Sequence, residues 1–306
     1  MKTILLTGSS GMLGKNICEH EQFNHYKFLT PNSIEFNLLD INTVKNYFLN
    51  NKIDIIIHCA GIVGGIQANI KDPVKFLNHN LQMGLNLINT AFEFNIKHII
   101  NLGSSCMYPK DYNKKLEEKD LLASYLEPTN EGYALAKISI AKLCEYYNKQ
   151  YNTRYINVIP CNLYGRWDKF NPENSHMIPS VIDKIYKAQL HNHEFVEIWG
   201  DGNSKREFMY AKDCADGIFF IIKNNIFDNY LNLGLGYDYS INEYYSIIAN
   251  IIGYKGKFKH NLNKPTGMNK KLLDVNKINQ YGWFPEHKLI DGIKKTFEFY
   301  LNQKEI

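Results

Sequence analysis

Arginine is nearly absent from this chain of 306 residues: only Arg154, Arg166 and Arg206 stand beside 32 lysines. The lysines are spread along the chain, the net charge is only +4, and no basic block argues for a nucleic-acid partner. The scarcity gives each arginine more weight than usual. The six cysteines, Cys18, Cys59, Cys106, Cys144, Cys161 and Cys214, include no Cys-x-x-Cys pair and no cluster with histidine. That excludes a zinc ribbon or a redox dithiol, implies no metal, and reads as reduced thiols in a cytoplasmic protein. No signal peptide is expected, because the first apolar run is short and ends at Gly8. No apolar stretch reaches the roughly 18 residues of a membrane span. Repeats and low-complexity linkers are missing as well. A hydrophobic content of 44% with 22% charged residues fits a folded globular protein. The length suits one large α/β domain or two lobes.

Residues 2–7 are an apolar β-type run leading straight into Gly8-Ser9-Ser10-Gly11-Met12-Leu13-Gly14, after which the pattern turns helical. Strand, glycine-rich turn and helix together make a phosphate site: glycines let the backbone approach a pyrophosphate, and a helix N-terminus offers free N–H groups. The spacing is Gly-x-x-Gly-x-x-Gly. Further strands are expected at residues 26–30, 53–59, 98–102 and 155–159, with a long helix over 73–95. The run 36–39 ends at Asp40, which could stand near an adenine. Strands alternating with helices predict an α/β fold with a doubly wound parallel sheet of Rossmann type. Ligands then bind beyond the carboxyl ends of the strands, where Ala60, residues 104–106, Asn162 and Leu163 fall. The alternation weakens after residue 165. Residues 178–190 read as a helix, 199–206 as a turn-rich loop, and 232–252, 264–275 and 289–301 as mixed loops and helices. The expected division is a dinucleotide-binding domain over 1–165 and a smaller, partly interleaved substrate lobe over 166–306, with some segments returning to the first domain.

Tyr133 and Lys137 lie four apart in Glu131-Gly132-Tyr133-Ala134-Leu135-Ala136-Lys137, a stretch with helical composition. Both would share one helix face. A cation near a phenol favours the phenolate, so the pair can move a proton to or from an alcohol near neutral pH. In a chain with 21 tyrosines the spacing also arises by chance.

Other segments add support: Val63-Gly64-Gly65-Ile66, Gly103-Ser104-Ser105-Cys106-Met107-Tyr108-Pro109, Glu127-Pro128-Thr129-Asn130, Asn162-Leu163-Tyr164-Gly165, Asn174-Ser175-His176, Trp199-Gly200-Asp201-Gly202, Arg206-Glu207-Phe208 and Lys271-Leu272-Leu273-Asp274. In this order, and over nearly the whole chain, they resemble the extended short-chain dehydrogenase/reductase family, most closely its GDP-L-fucose synthase group. The resemblance implies hydride transfer from NADPH to a GDP-linked 4-keto-6-deoxy sugar. Ser104 would bind the keto oxygen, Tyr133 would deliver the proton, and Lys137 would steady the charge and hold the nicotinamide ribose. In that group a cysteine and a histidine match Cys106 and His176. A ketone at C4 acidifies C3 and C5, and a thiol and an imidazole on opposite ring faces could invert those carbons. Reduction at C4 alone, on a related sugar such as a GDP-4-keto-6-deoxy-heptose, is the alternative.

Ser105, Lys184, Trp199, Arg206 and Asp274 are the candidate substrate contacts. Lys184 and Arg206 would meet the diphosphate, Trp199 would pack on the base or ribose, and Asp274 would accept from hydroxyls. A homodimer through the long helices expected at 73–95 and 132–150 is implied by the group. One departure stands out: the glycine loop and residues 30–33 carry no arginine for an adenosine 2′-phosphate, so NADH is an alternative cofactor. The Ser104-Ser105-Cys106 segment replaces the Thr-Asp-Glu of the related dehydratases.

Overall fold

The computed structural model describes residues 1–304 apart from 111, 113, 172–174 and 265–266. In chain order its first part contains β1 (Thr3–Thr7), α1 (Met12–Cys18), β2 (Lys27–Leu29), α2 (Ile41–Asn50), β3 (Ile55–His58), α3 (Ile66–Lys71), α4 (Pro73–Glu93), β4 (His98–Leu102), α5 (Glu131–Tyr151), β5 (Arg154–Pro160) and β6 (Asn162–Tyr164). There follow α6 (Met177–Leu190), β7 (Phe195–Trp199), β8 (Lys205–Arg206), β9 (Phe208–Tyr210), α7 (Ala211–Lys223), β10 (Tyr230–Leu233), β11 (Tyr239–Ser240), α8 (Ile241–Ile252), β12 (Lys257–Asn261), β13 (Lys270–Lys271), α9 (Asn276–Gln280) and α10 (Leu289–Asn302).

β1 and β3 are buried along their whole length, as parallel strands covered by helices on both faces must be. The main sheet has the order β10-β5-β4-β3-β1-β2, and every pairing in it is parallel. The chain steps from β1 outward to β2 and then back across to β3. That reversal opens a crevice at the carboxyl ends of β1 and β3, where doubly wound sheets bind ligands. α4 begins with Pro73, whose missing N–H costs nothing in a first turn. It packs against α5 so closely that a Cβ on Gly84 would lie 2.5 Å from Ile140 Cδ1. A second core cluster forms around α6, α8 and α10, with Val181, Ile185, Tyr244, Ile248 and Ile293 inside it.

Phe36 and Leu38 drop into the core and the segment turns into α2, with Asp40 as its N-cap. From the second part of the chain β10 returns to pair with β5. One expectation is corrected: the loop at 199–206 ends in a strand, in which β8 pairs antiparallel with β11 and parallel with β13. Turn residues hide so short a strand, whose partners lie far along the chain.

Candidate active site

The crevice begins at the end of β1. Thr7 Oγ1 shares a hydrogen bond of 2.8 Å with His58 Nδ1 and accepts from the Ala60 N–H at 3.2 Å, which ties the ends of β1 and β3 together. Burial holds the His58 imidazole down at about 3, so it stays neutral in this role. Gly8 has φ +71°, and a Cβ on it would stand 2.7 Å from the Ala60 nitrogen. A Cβ on Gly14 would collide with the Gly8 carbonyl oxygen and Ser9 Cα. The Gly11 N–H closes the turn on the Gly8 carbonyl at 3.0 Å. The turn therefore tolerates only bare backbone at these points. Such a cradle fits the pyrophosphate of a dinucleotide, and the residues present suit that cofactor. Ser9 Oγ donates to the Thr30 carbonyl at 3.4 Å, and the Lys15 ammonium lies 5.1 Å from the Trp167 ring centre.

Asp40 caps the N-terminus of α2. Its carboxylate accepts from the Asn42 N–H at 3.0 Å and the Thr43 hydroxyl at 2.7 Å, and those bonds hold it below the usual range.

Tyr133 and Lys137 occupy the first turns of α5, which put them on one face as their spacing predicts. The Lys137 side chain is buried and donates from Nζ to the Leu102 carbonyl, at the end of β4, at 2.8 Å. Its Nζ is 5.9 Å from the Tyr133 ring centre. Burial pulls the Lys137 ammonium down to about 8. Burial also pushes the Tyr133 phenol well above its ordinary value. The Cys106 sulfur adds to that, and a hydrogen bond with Ser104 opposes it. The expected lowering of the phenol is therefore not met, because desolvation is the largest influence on it. At neutral pH the phenol carries its proton, the state a proton donor needs.

A cleft of about 340 Å³ runs from Cys106 to Trp199. At the near end Cys106 Sγ accepts from Asn130 Nδ2 at 3.3 Å and from Lys271 Nζ at 3.7 Å. His176 also lines the cleft, as the N-cap residue of α6. Burial, then the charges of Lys271 and Lys169, hold its imidazole below the usual range, so it is neutral. At the far end Lys184 Nζ donates to the Glu197 carbonyl at 3.0 Å and the Tyr245 hydroxyl at 3.3 Å, with the Trp199 ring centre 6.0 Å away. Lys264 approaches the same indole at 5.4 Å. Arg206 lines the cleft between these ends and donates from Nη1 to the Lys205 carbonyl at 2.7 Å. Asn162 lines it as well, its amide donating to the Glu207 carbonyl at 2.9 Å.

The structure thus brings Ser104, Cys106, Tyr133, Lys137 and His176 into one region, with Lys184, Trp199 and Arg206 along the same cleft. Two expected substrate residues stand apart. Ser105 is buried in the short 3-10 turn after β4, because the turn points Ser104 and Cys106 outward and Ser105 in. Asp274 turns back to accept from the Asn276 N–H at 2.9 Å and the Asn276 side-chain amide at 3.1 Å. Asn174 of the predicted Asn-Ser-His segment lies outside the described residues. Sequence reasoning missed Asn130, Lys271 and Glu207, although each sits inside a segment it singled out. Glu207 is 1% exposed. It accepts from the backbone N–H groups of Leu235, Gly236 and Leu273, at 2.5, 2.8 and 2.9 Å. Burial pushes its carboxyl up to about 7, and those three bonds oppose the rise.

Comparison with known proteins agrees with this geometry. Residues 4–234 match the NAD dependent epimerase/dehydratase family. The chain is 52% identical over 303 residues to the GDP-L-colitose synthase of Yersinia pseudotuberculosis, with 98% of each chain covered. It is 42% identical over 306 residues to the GDP-L-fucose synthase of Azorhizobium caulinodans, covering 100% of this chain and 98% of that one. Among solved structures, the GDP-mannoheptose C4 reductase from Campylobacter jejuni with NADP bound matches with a TM-score of 0.88 at 30% identity, over 98% of both chains.

Proposed function

This chain belongs to the NAD-dependent epimerase/dehydratase family, and we propose that it is an NADPH-dependent reductase of a GDP-4-keto-6-deoxy sugar that also inverts C3 and C5. The observation that carries this reading is the meeting of Tyr133 with Ser104 and Cys106, beside the Lys137 ammonium, at the mouth of a cleft leading to Trp199. Bound in the cradle of Gly8, Gly11 and Gly14, NADPH would supply the hydride. Ser104 and Tyr133 bind the keto oxygen, and Tyr133 gives up its proton as the alkoxide forms. The Lys137 charge steadies the phenolate left behind. Cys106 and His176 exchange protons at the carbons beside the ketone before C4 is fixed. Lys184 and Arg206 hold the diphosphate, and Trp199 packs on the nucleoside.

A second reading is reduction at C4 without epimerisation, on a sugar such as GDP-4-keto-6-deoxy-heptose. The likeness to the Campylobacter jejuni C4 reductase favours it. The test is to supply GDP-4-keto-6-deoxy-mannose and NADPH in deuterium oxide and to identify the product by mass spectrometry and NMR. GDP-L-fucose carrying deuterium at C3 and C5 is the expected result. Ketone reduction without deuterium at either carbon supports the second reading. A product only from the precursor of GDP-L-colitose would move the substrate to that sugar.

We also infer a homodimer through α4 and α5. Val74, Leu135, Tyr146 and Tyr151 lie exposed on these helices, in line with an apolar face awaiting a partner. Sedimentation analysis gives the mass directly. The expected location is the cytoplasm. Among the described residues no helix is long and apolar enough to cross a membrane.

A further inference from the structure

Lys271 has no part in the reading above, yet it stands between the two groups assigned to proton exchange. Its ammonium is 3.7 Å from Cys106 Sγ, and its charge is felt at His176. The position is built rather than incidental. β13 pairs in parallel with β8, which sets Lys271 beside Arg206 in register. Two residues on, the Leu273 N–H is held by the buried Glu207 carboxyl and the Asp274 N–H by the Leu116 carbonyl, so the strand cannot drift. Lys271 itself is only 8% exposed. From the opposite side the Asn130 amide, at the start of α5, donates to the same sulfur. Among the described residues Tyr133 and Arg206 are further ionisable groups near Cys106.

A neutral thiol is a poor hydrogen-bond acceptor, whereas a thiolate is a strong one and is favoured by a nearby lysine. Two donors, one of them a cation, converge here on a single sulfur. We propose that Lys271 is a positioning residue that, with Asn130, holds Cys106 as a thiolate during proton exchange; this rests on the epimerase reading. The exchange balances simply. The C–H bond beside the ketone breaks as an S–H bond forms, and the electron pair moves onto the keto oxygen bound by Ser104 and Tyr133. In the reverse sense the S–H proton passes to carbon. The cation raises the fraction of Cys106 ready to take the C–H proton and, in the reverse sense, eases release of the S–H proton.

The influence of Lys271 on the Cys106 sulfur can be read without substrate. Iodoacetamide is applied to the free protein at neutral pH, and labelling of the Cys106 peptide is followed by mass spectrometry. Replacing the lysine in Lys271→Met should slow Cys106 labelling about tenfold, the worth of a charge-assisted hydrogen bond. Lys271→Arg, which keeps the charge, should restore most of the rate, and a merely structural role would give no such rescue. Asn130→Ala supplies a second arm, with a smaller expected loss, should Lys271→Met fold poorly. Equal labelling in wild type and Lys271→Met, or in wild type and Asn130→Ala where only that variant folds, overturns the proposal. Deuterium incorporation in the wild type is scored separately. If labelling depends on Lys271 while no deuterium enters, the epimerase reading fails and the thiolate assignment stands.

Discussion

The Lys137 ammonium reaches past Tyr133: it donates to the Leu102 carbonyl at 2.8 Å and stands 5.9 Å from the centre of the Tyr133 ring. On the proposed reading the two residues act in sequence, since the geometry gives no preformed ion pair. The phenol waits protonated, and the cation matters once the proton has gone. Tyr133→Phe should bind NADPH normally and lose about 10²–10⁴-fold in turnover, the usual worth of a placed proton donor. Near-normal turnover would remove Tyr133 from the mechanism.

The pH profile should carry the mark of Lys137. Burial sets its ammonium at about 8, so it is charged below that pH and neutral above it. Stabilisation of the developing charge is then lost as pH rises through about 8. On a substrate already epimerised, which removes Cys106 and His176 from the measurement, kcat/KM should fall on that alkaline limb. A flat profile well beyond it would show that Lys137 does not act as a cation.

Gly65 lies against the carbonyl of Ser175, the residue before His176. A Cβ on Gly65 would lie 3.0 Å from the Ser175 carbonyl oxygen, and its φ of −67° is open to any residue. Gly65→Ala therefore adds a steric push and no backbone strain. The Ser175–His176 segment must give by a few tenths of an ångström, and small misplacements are costly in proton transfer. Deuterium incorporation should slow about tenfold, with less effect on reduction of the epimerised substrate. Equal slowing of both steps would place the effect on substrate binding.

Glu207 clamps three backbone N–H groups from two segments. Glu207→Ala strands all three, and about 3 kcal/mol or more of stability should be lost in urea unfolding. The loss should depend on pH. The folded carboxyl sits at about 7, above its unfolded value near 4.3, so the fold keeps the proton between those limits. The stability from protonation is then fully present below about 4.3 and is lost as pH rises through about 7. The gap between wild type and Glu207→Ala should narrow over that window.

Serine occupies the place in the glycine loop where an arginine would grip a 2′-phosphate, and Ser10 is exposed. NADPH should be preferred over NADH by a smaller margin than an arginine fork provides. Ser10→Arg should raise that preference about tenfold, through one charge-assisted contact. Titrating both cofactors against both proteins measures it. An unchanged ratio would mean that the 2′-phosphate lies elsewhere.

Much of this was legible locally. The apolar run before Gly8 gave a strand and turn, and His98–Leu102 is a strand with the bounds its sequence suggests. α4 and α5 run close to their expected spans, and helical spacing alone put Tyr133 and Lys137 on one face. These features depend on neighbours a few residues apart, where periodicity and backbone conformation operate. Ser104, Cys106 and His176 could be named because their segments match a known pattern. Their partners were beyond that reach. Lys271 meets Cys106 only because two residues of β13 pair with β8, and no local pattern marks so short a strand. Ser105 and Asp274 carry plausible chemistry, yet burial took the first and local bonds the second away from the cleft. The protonation of Tyr133 was decided the same way. Sequence puts a lysine beside a phenol, but desolvation depends on everything packed around both groups, and only the tertiary structure assembles that surrounding.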